Sequence, residues 1–174
     1  MGVRVRLVSE DDAGPLAELV RTNRDFLAPW EPVREDEFFT EEHQRQHVAQ
    51  ALTRHEDGAV LPYVILDDAA LVGRINVNDI VRGAFQSGHL GYWVGGAHNG
   101  RGVATAAVAA VTRIAFDQLR LHRLQADTLV HNTGSQRVLA RNGFARFGMA
   151  PRYLNIAGRW QDHILHQRLN VDLH

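Results

Sequence analysis

Residues 98 to 105, His98-Asn99-Gly100-Arg101-Gly102-Val103-Ala104-Thr105, set two glycines between a strand-like run and an alanine-rich helical run. This junction restricts the fold more than any other stretch, because it demands a strand, a tight turn and a helix in immediate succession. The strand side, His89 to Val94, is aromatic and β-branched and suits a pleated, half-buried surface; Gly95 and Gly96 end it. From Gly102 to Phe116 the apolar positions Val103, Ala107, Ala110, Val111 and Ile114 recur every three or four residues, as on a helix with one buried face. Most of that face is alanine, so the helix can approach a sheet closely. Its first N–H groups have no intrahelical acceptor and lie at the positive end of the peptide dipole, which suits them to a phosphate or pyrophosphate. Gly100 and Gly102 remove the Cβ atoms that would hold such a group away. A Walker-type loop is excluded, since Gly-Lys followed by Ser or Thr is missing, and so is the three-glycine dinucleotide fingerprint.

The bulk of the chain narrows the classes further. Its 174 residues, 45% of them hydrophobic, suffice for one well-buried core and are few for two, so a single domain over residues 1–174 is expected. A formal charge of −1 supplies no global field toward nucleic acid or an anionic membrane. The lack of cysteine excludes disulfides, thiolate metal sites and a cysteine nucleophile, and suits a reducing compartment. The amino terminus has no apolar leader segment, Arg6 stands where a myristoylation signal wants Ser or Thr, and no run approaches membrane-spanning length. A soluble cytoplasmic protein, monomeric or homodimeric, is the expectation.

Val3 to Val8 alternates as a strand, and Ser9-Glu10-Asp11-Asp12 then supplies cap chemistry for a helix running to about Phe26. Pro29 and Pro32 break it, leaving residues 29 to 39 as an aromatic, acidic loop. A second helix is predicted from Thr40, as N-cap, to about His55. Ala59 to Leu66 and Ala70 to Asn78 form a hairpin around Asp67-Asp68, and the Tyr92 strand follows. After the Gly102 helix come a strand from Arg123 to Val130 and a short helix opened by Asn132. Gly143 closes that helix as a C′ glycine; Asn142-Gly143 as a hairpin turn is the weaker alternative, given Val138-Leu139 behind it. Phe144 to Ile156 and Trp160 to Leu169 make a final pair of strands. The order β α α β β β α β α β β describes a mixed α+β or α/β layer domain.

Four blocks in this order resemble the Gcn5-related N-acetyltransferase (GNAT) superfamily, and within it the RimJ/RimL type of protein N-terminal acetyltransferases. They are Asn99-Gly100-Arg101-Gly102-Val103-Ala104; Asn132 to Phe144, with its Asn-x-x-Ser helix ending in Gly-Phe; Tyr153 to His163; and Phe26 to Pro32. The resemblance spans nearly the whole chain and implies a central mixed, mostly antiparallel sheet flanked by helices, with splayed strands at an acetyl-CoA site. It implies that Asn99, Gly100, Arg101, Gly102, Val103, Ala104 and Thr105 hold the pyrophosphate of the cosubstrate acetyl-CoA. Tyr92, Trp93 and Val94 would pair with its pantetheine arm, and Asn132 would touch that arm. The family usually has Gln or Arg where Asn99 stands.

The implied chemistry is direct attack of an amine on a thioester, without a covalent enzyme intermediate. A serine matching Ser135 protonates the leaving thiolate in RimL-like enzymes, and Trp30, Glu31 and Tyr153 match the acceptor side. From the residues alone, Asn132 is equally an N-cap and Ser135 equally an N3 residue. Family members often carry Glu-Gly after Gly-Phe, and that glutamate has been assigned as the base; here the place holds Phe147-Gly148. The base is therefore open among Glu31, Asp162, His131 and a water relay. His43 and His47 are four apart on a predicted helix, but no glutamate lies between them at the zincin position, and no metal is assigned. The acceptor is read as a protein N-terminal amine, of the ribosomal-protein-alanine kind. A small amine, or CoA binding without turnover, are the alternatives.

Overall fold

Alternating arginines and apolar residues suit β1 (Val3–Leu7) to a sheet edge, where Arg4 and Arg6 face solvent. In the computed structural model, which describes residues 2–173, the chain continues through α1 (Ala13–Thr22), the single turn α2 (Arg24–Leu27) and α3 (Glu41–Glu56). Then come β2 (Leu61–Asp67), β3 (Ala70–Val81), β4 (Ser87–Val94), α4 (Val103–Arg113), β5 (Arg123–Leu129) and α5 (Thr133–Arg141). The hairpin β6 (Ala145–Ile156) and β7 (Arg159–Leu169) closes the fold. The seven strands form one sheet in the order β1-β2-β3-β4-β5-β7-β6, antiparallel throughout except where β4 runs parallel to β5. This is the mixed, mostly antiparallel sheet that the family resemblance implied.

Helices cover both faces. Val103, Ala107, Val108 and Val111 of α4 are buried against Ile65, Ile75, Val77, Leu90 and Leu124. The alanine content of α4 is what allows this close seat. On the other face Val8, Leu16, Val48 and Val64 cluster under α1 and α3. Each large apolar side chain buried in this way contributes roughly 1.5–3 kcal/mol relative to exposure.

Several boundaries differ from the sequence reading for identifiable reasons. The first helix breaks at Asn23, whose Nδ2 donates to Leu19 O at 2.9 Å while its Oδ1 accepts from Gly96 N at 2.8 Å. The side chain thus ends α1 and ties it to the segment before α4. Residues Ile114–Gln118 continue α4 as a wider π turn. At the end of α5, Gly143 adopts φ +75°, and the N–H groups of Gly143 and Phe144 donate to Ala140 O and Leu139 O at 3.0 and 3.1 Å. That C-cap establishes the helical alternative over a hairpin turn at Asn142-Gly143. Asn142 is buried and donates to Thr105 O at 3.2 Å, so the end of α5 is fastened to the first turn of α4.

Asp12 locks β1 to the start of α1. It is buried, receives Arg6 Nη1 and Nη2 at 2.7 Å each, and accepts from Ser9 N at 2.8 Å. Burial pushes its carboxyl up, but the Arg6 guanidinium and Ser9 outweigh this and hold it below the ordinary aspartate range. A folded value below the unfolded one gives stability that is complete above the unfolded pKa, about 3.9, and lost as pH falls through the folded value. Asp12→Asn is expected to lower the unfolding free energy by about 1.5–3 kcal/mol at neutral pH. The difference should vanish once wild-type Asp12 is itself protonated. Denaturant midpoints of both proteins at neutral pH and at about pH 2 check the sign.

Candidate active site

The glycine junction leaves β4 in one tight turn. His98 N and Asn99 N donate to Gly95 O and Gly96 O at 2.9 and 3.2 Å, and Asn99 Oδ1 caps Gly100 N at 3.0 Å. Gly100 and Gly102 follow at φ +74° and +83°, left-handed values that favour glycine. A Cβ placed on either would meet nothing within 4 Å, so the outer side of the turn is open space. Among the described residues no acceptor reaches the N–H groups of residues 101 to 105, which face that opening at the start of α4. Asp67 anchors the loop from β2: His98 Nδ1 lies 3.2 Å and Arg101 Nη2 4.0 Å from its Oδ2. An open cradle of unpaired donors fits the diphosphate of a CoA thioester.

Beside this cradle the sheet divides. β4 and β5 pair only where Ser87, Gly88 and His89 meet Arg123, Leu124 and Gln125, and beyond that point the strands part. Tyr92 and Val94 turn their side chains toward the α4 core, so these positions offer backbone groups, not side chains, to the gap. Tyr92 Oη lies 2.7 Å from Ser135 Oγ. Burial pushes the Tyr92 phenol up to about 12, while the Ser135 contact acts the other way. Asn132 Oδ1 accepts from Ser135 N at 3.1 Å, so Asn132 is the N-cap of α5 and its amide nitrogen is left over for other contacts.

The register puts His89, Gly91 and Trp93 of β4 on the opposite face, together with Arg74 and Asn76 of β3. Trp30 stacks at a tilt on His131, with ring centroids 5.5 Å apart, and Tyr153 meets His163 edge-on at 5.7 Å. Glu31 stands close to both Arg34, at 3.9 Å, and buried Arg74. Burial holds its carboxyl above the ordinary glutamate range, although the two guanidinium groups pull it down. Asp36 is held by Arg24 at 2.9 Å, so Glu31 and Asp36 each stand beside a cation. Asp162 accepts from Arg152 N at 2.8 Å across an irregular stretch of the β6–β7 pair. Leu27, Ala28, Val33, Phe38 and Phe39 line an apolar cavity of about 330 Å³ next to Glu31.

Two groups escaped the sequence reading. His89 Nε2 lies 3.2 Å from Asp127 Oδ2 across the point where β4 and β5 separate. Burial holds the Asp127 carboxyl above the ordinary aspartate range, although the imidazoles of His89, His163 and His166 pull it down. Several buried polar atoms on this face, Arg74 Nε and Nη2, Asn76 Oδ1, His89 Nε2 and Gln167 Oε1, have no hydrogen-bond partner among the described residues. The signal for Asp127 was its place between Ala126 and Thr128 in an alternating strand, but only the parallel pairing identifies the neighbour it faces.

A profile of the acetyltransferase (GNAT) domain matches residues 3–145. The chain is similar to the probable N-acetyltransferase YjcK of Bacillus subtilis, with 36% identity over 172 residues covering 98% of this chain and 95% of that protein. It is also similar to the crystal structure of ribosomal-protein-S5-alanine acetyltransferase from Vibrio fischeri. The TM-score there is 0.95 at 35% identity, over 100% of this chain and 96% of the other. Mycobacterium smegmatis RimJ in complex with CoA-disulfide gives a TM-score of 0.94 at 32% identity, over 98% and 83% of the two chains. The chain belongs to the GNAT acetyltransferases. It is an acetyl-CoA-dependent N-acetyltransferase of the RimJ/RimL type.

Gly102→Val is expected to raise the dissociation constant for CoA about tenfold or more. It places a β-branched residue at φ +83° and fills the open side of the turn. Calorimetric titration of folded variant and wild type checks this.

Proposed function

We propose that residues 1–174 act as one catalytic unit that acetylates the α-amine of a protein N-terminus, with an alanine-initiated ribosomal protein as the leading acceptor. Similarity along the whole chain to an S5-alanine acetyltransferase carries this reading. The unpaired polar atoms on the acceptor face support it, because a bound peptide brings the donors and acceptors that they lack. Action on a ribosomal protein would place the enzyme in the cytoplasm; among the described residues no helix is long and apolar enough to cross a membrane.

In this reading the N–H groups of residues 101 to 105 hold the diphosphate and exposed backbone of β4 pairs with the pantetheine arm. A β4 N–H polarises the thioester carbonyl. Ser135, its hydroxyl oriented by Tyr92, protonates the departing thiolate, and the Asn132 amide steadies the arm. Trp30, Glu31 and Tyr153 border the acceptor, with the first side chains of the peptide directed to the apolar cavity beside Glu31.

The test is incubation with acetyl-CoA and a panel of short peptides carrying ribosomal-protein amino termini, following thiol release and mapping the acetyl group. Acetylation of the α-amine, lost when that amine is blocked although lysines are present, is the expected outcome. Faster turnover of a polyamine or aminoglycoside than of any peptide would overturn the acceptor assignment. CoA binding with no thiol release from any amine would leave only a binding module.

Ser135→Ala is expected to lower kcat about ten- to a thousandfold with little change in acetyl-CoA affinity. Tyr92→Phe should cost less. Because burial keeps the Tyr92 phenol protonated up to about 12, that loss should be the same across an assay range from about pH 6 to pH 9. Initial-rate measurements over that range decide both.

A further inference from the structure

Transfer to an amine requires a group that removes a proton from the attacking nitrogen, and the geometry at the fork of β4 and β5 supplies one. His89 is the last paired residue of β4, and Asp127 stands two residues beyond Gln125, its counterpart on β5. Both project from the face that carries Trp93 and Arg74. His89 Nε2 is fully buried and faces Asp127 Oδ2 at 3.2 Å, off the axis of an ideal hydrogen bond, and it has no other partner. About a third of the His89 side chain is nevertheless exposed, and that surface belongs to the rest of the ring. A carboxylate beside Nε2 favours the tautomer with its proton there and leaves the lone pair on Nδ1. Among the described residues no hydrogen bond reaches Nδ1.

We propose that His89 Nδ1 receives the proton of the attacking amine, with Asp127 as the residue that positions the imidazole and stabilises its charged form. This rests on the N-acetyltransferase reading of the same cleft. The nitrogen lone pair forms the C–N bond to the thioester carbonyl carbon while the nitrogen's proton passes to Nδ1. As the C–S bond breaks, sulfur takes a proton from Ser135. Water then removes the proton from His89 and restores that of Ser135, so no charge accumulates.

The surroundings suit the task. Around Asp127 stand His163 and His166 from β7 and Tyr153 from β6, with Arg146 beyond His166. From β3, His89 is paired with uncharged Asn78. Asp127 is thus the one anion facing the ring among the described residues, and burial and the imidazoles act on it in opposite directions. An imidazole with a free ring nitrogen can accept a proton from a neutral amine, which is the task of a general base.

The experiment measures kcat/KM against pH for wild type, His89→Gln and Asp127→Asn, with whichever acceptor the wild type turns over, and acetyl-CoA affinity by titration. His89→Gln should lose about a hundred- to ten-thousandfold in kcat/KM and lose the acid limb, where protonation of the imidazole removes its lone pair. Acetyl-CoA affinity should stay within about twofold. Asp127→Asn should lose about ten- to a hundredfold in kcat and move the acid limb to lower pH, because the carboxylate no longer favours imidazolium. Nitrogen NMR of the His89 ring reads the tautomer without any acceptor: protonated Nε2 in wild type, redistributed in Asp127→Asn. Unchanged kcat/KM in His89→Gln, an acid limb that persists in it, or a ring protonated on Nδ1 in wild type would each overturn the proposal. If a small amine replaces the peptide as acceptor, the acceptor reading fails while the same variants still test the base.

Discussion

The separation of β4 from β5 is the constraint on which the rest of the molecule turns. Backbone N–H and C=O groups inside a sheet need partners, and two strands that pair for three residues and then diverge leave such groups facing a gap. The fold holds the gap open from both ends. On one side α4 crosses from β4 to β5 and seats its small side chains on the sheet, while Asn142 ties the end of α5 to its first turn. On the other, Asn23 holds Gly96, so the chain leaving β4 is drawn toward α1 and cannot continue alongside β5. In the proposed binding mode the cofactor takes the place of the missing strand, its amides completing the ladder and its diphosphate meeting the free donors at residues 101 to 105.

The face of the sheet that carries His89 and Trp93 has a comparable deficit in side chains. Leaving a buried polar atom without a partner costs about 1–3 kcal/mol, and here Arg74, Asn76, His89 and Gln167 contribute such atoms within one surface. A site of this kind discriminates strongly, since a ligand that lacks the complementary groups leaves the deficit in place. Charge is handled more evenly. Glu31 lies near Arg34 and Arg74, and Asp36 pairs with Arg24, so these two carboxylates of the loop face cations.

Local chemistry was readable from the chain and long-range pairing was not. The turn at Gly100 and Gly102, the alanine face of α4, Thr40 as the N-cap of α3 and Gly143 as a C-cap all depend on neighbours a few residues away, and the structure keeps them. The contact of Tyr92 with Ser135 spans 43 residues, and the His89–Asp127 pair depends on the parallel register of two strands joined by a helical crossover. Nothing in the spacing of those residues encodes it. Asn23 was hidden for the same reason, because its partner Gly96 is 73 residues away. The cations beside the loop were equally hidden: Arg24, which holds Asp36, comes from α2, and Arg74, near Glu31, from β3.

The period of two along β4 explains how one strand can position the groups of both proposed proton transfers. Residues an odd number apart point to opposite faces, so Tyr92 turns to Ser135 on the α4 and α5 side while His89, three positions earlier, turns to Asp127 on the other. Three residues of strand also separate them by about 10 Å. A hydroxyl donor and an imidazole acceptor on the same face, at hydrogen-bond distance, would exchange their proton with each other. In the mechanism we propose, the thioester lies along this strand, with the hydroxyl on one face and the imidazole on the other, so that the reacting carbonyl falls between them. The group that gains a proton and the group that loses one are thereby kept apart by the sheet itself.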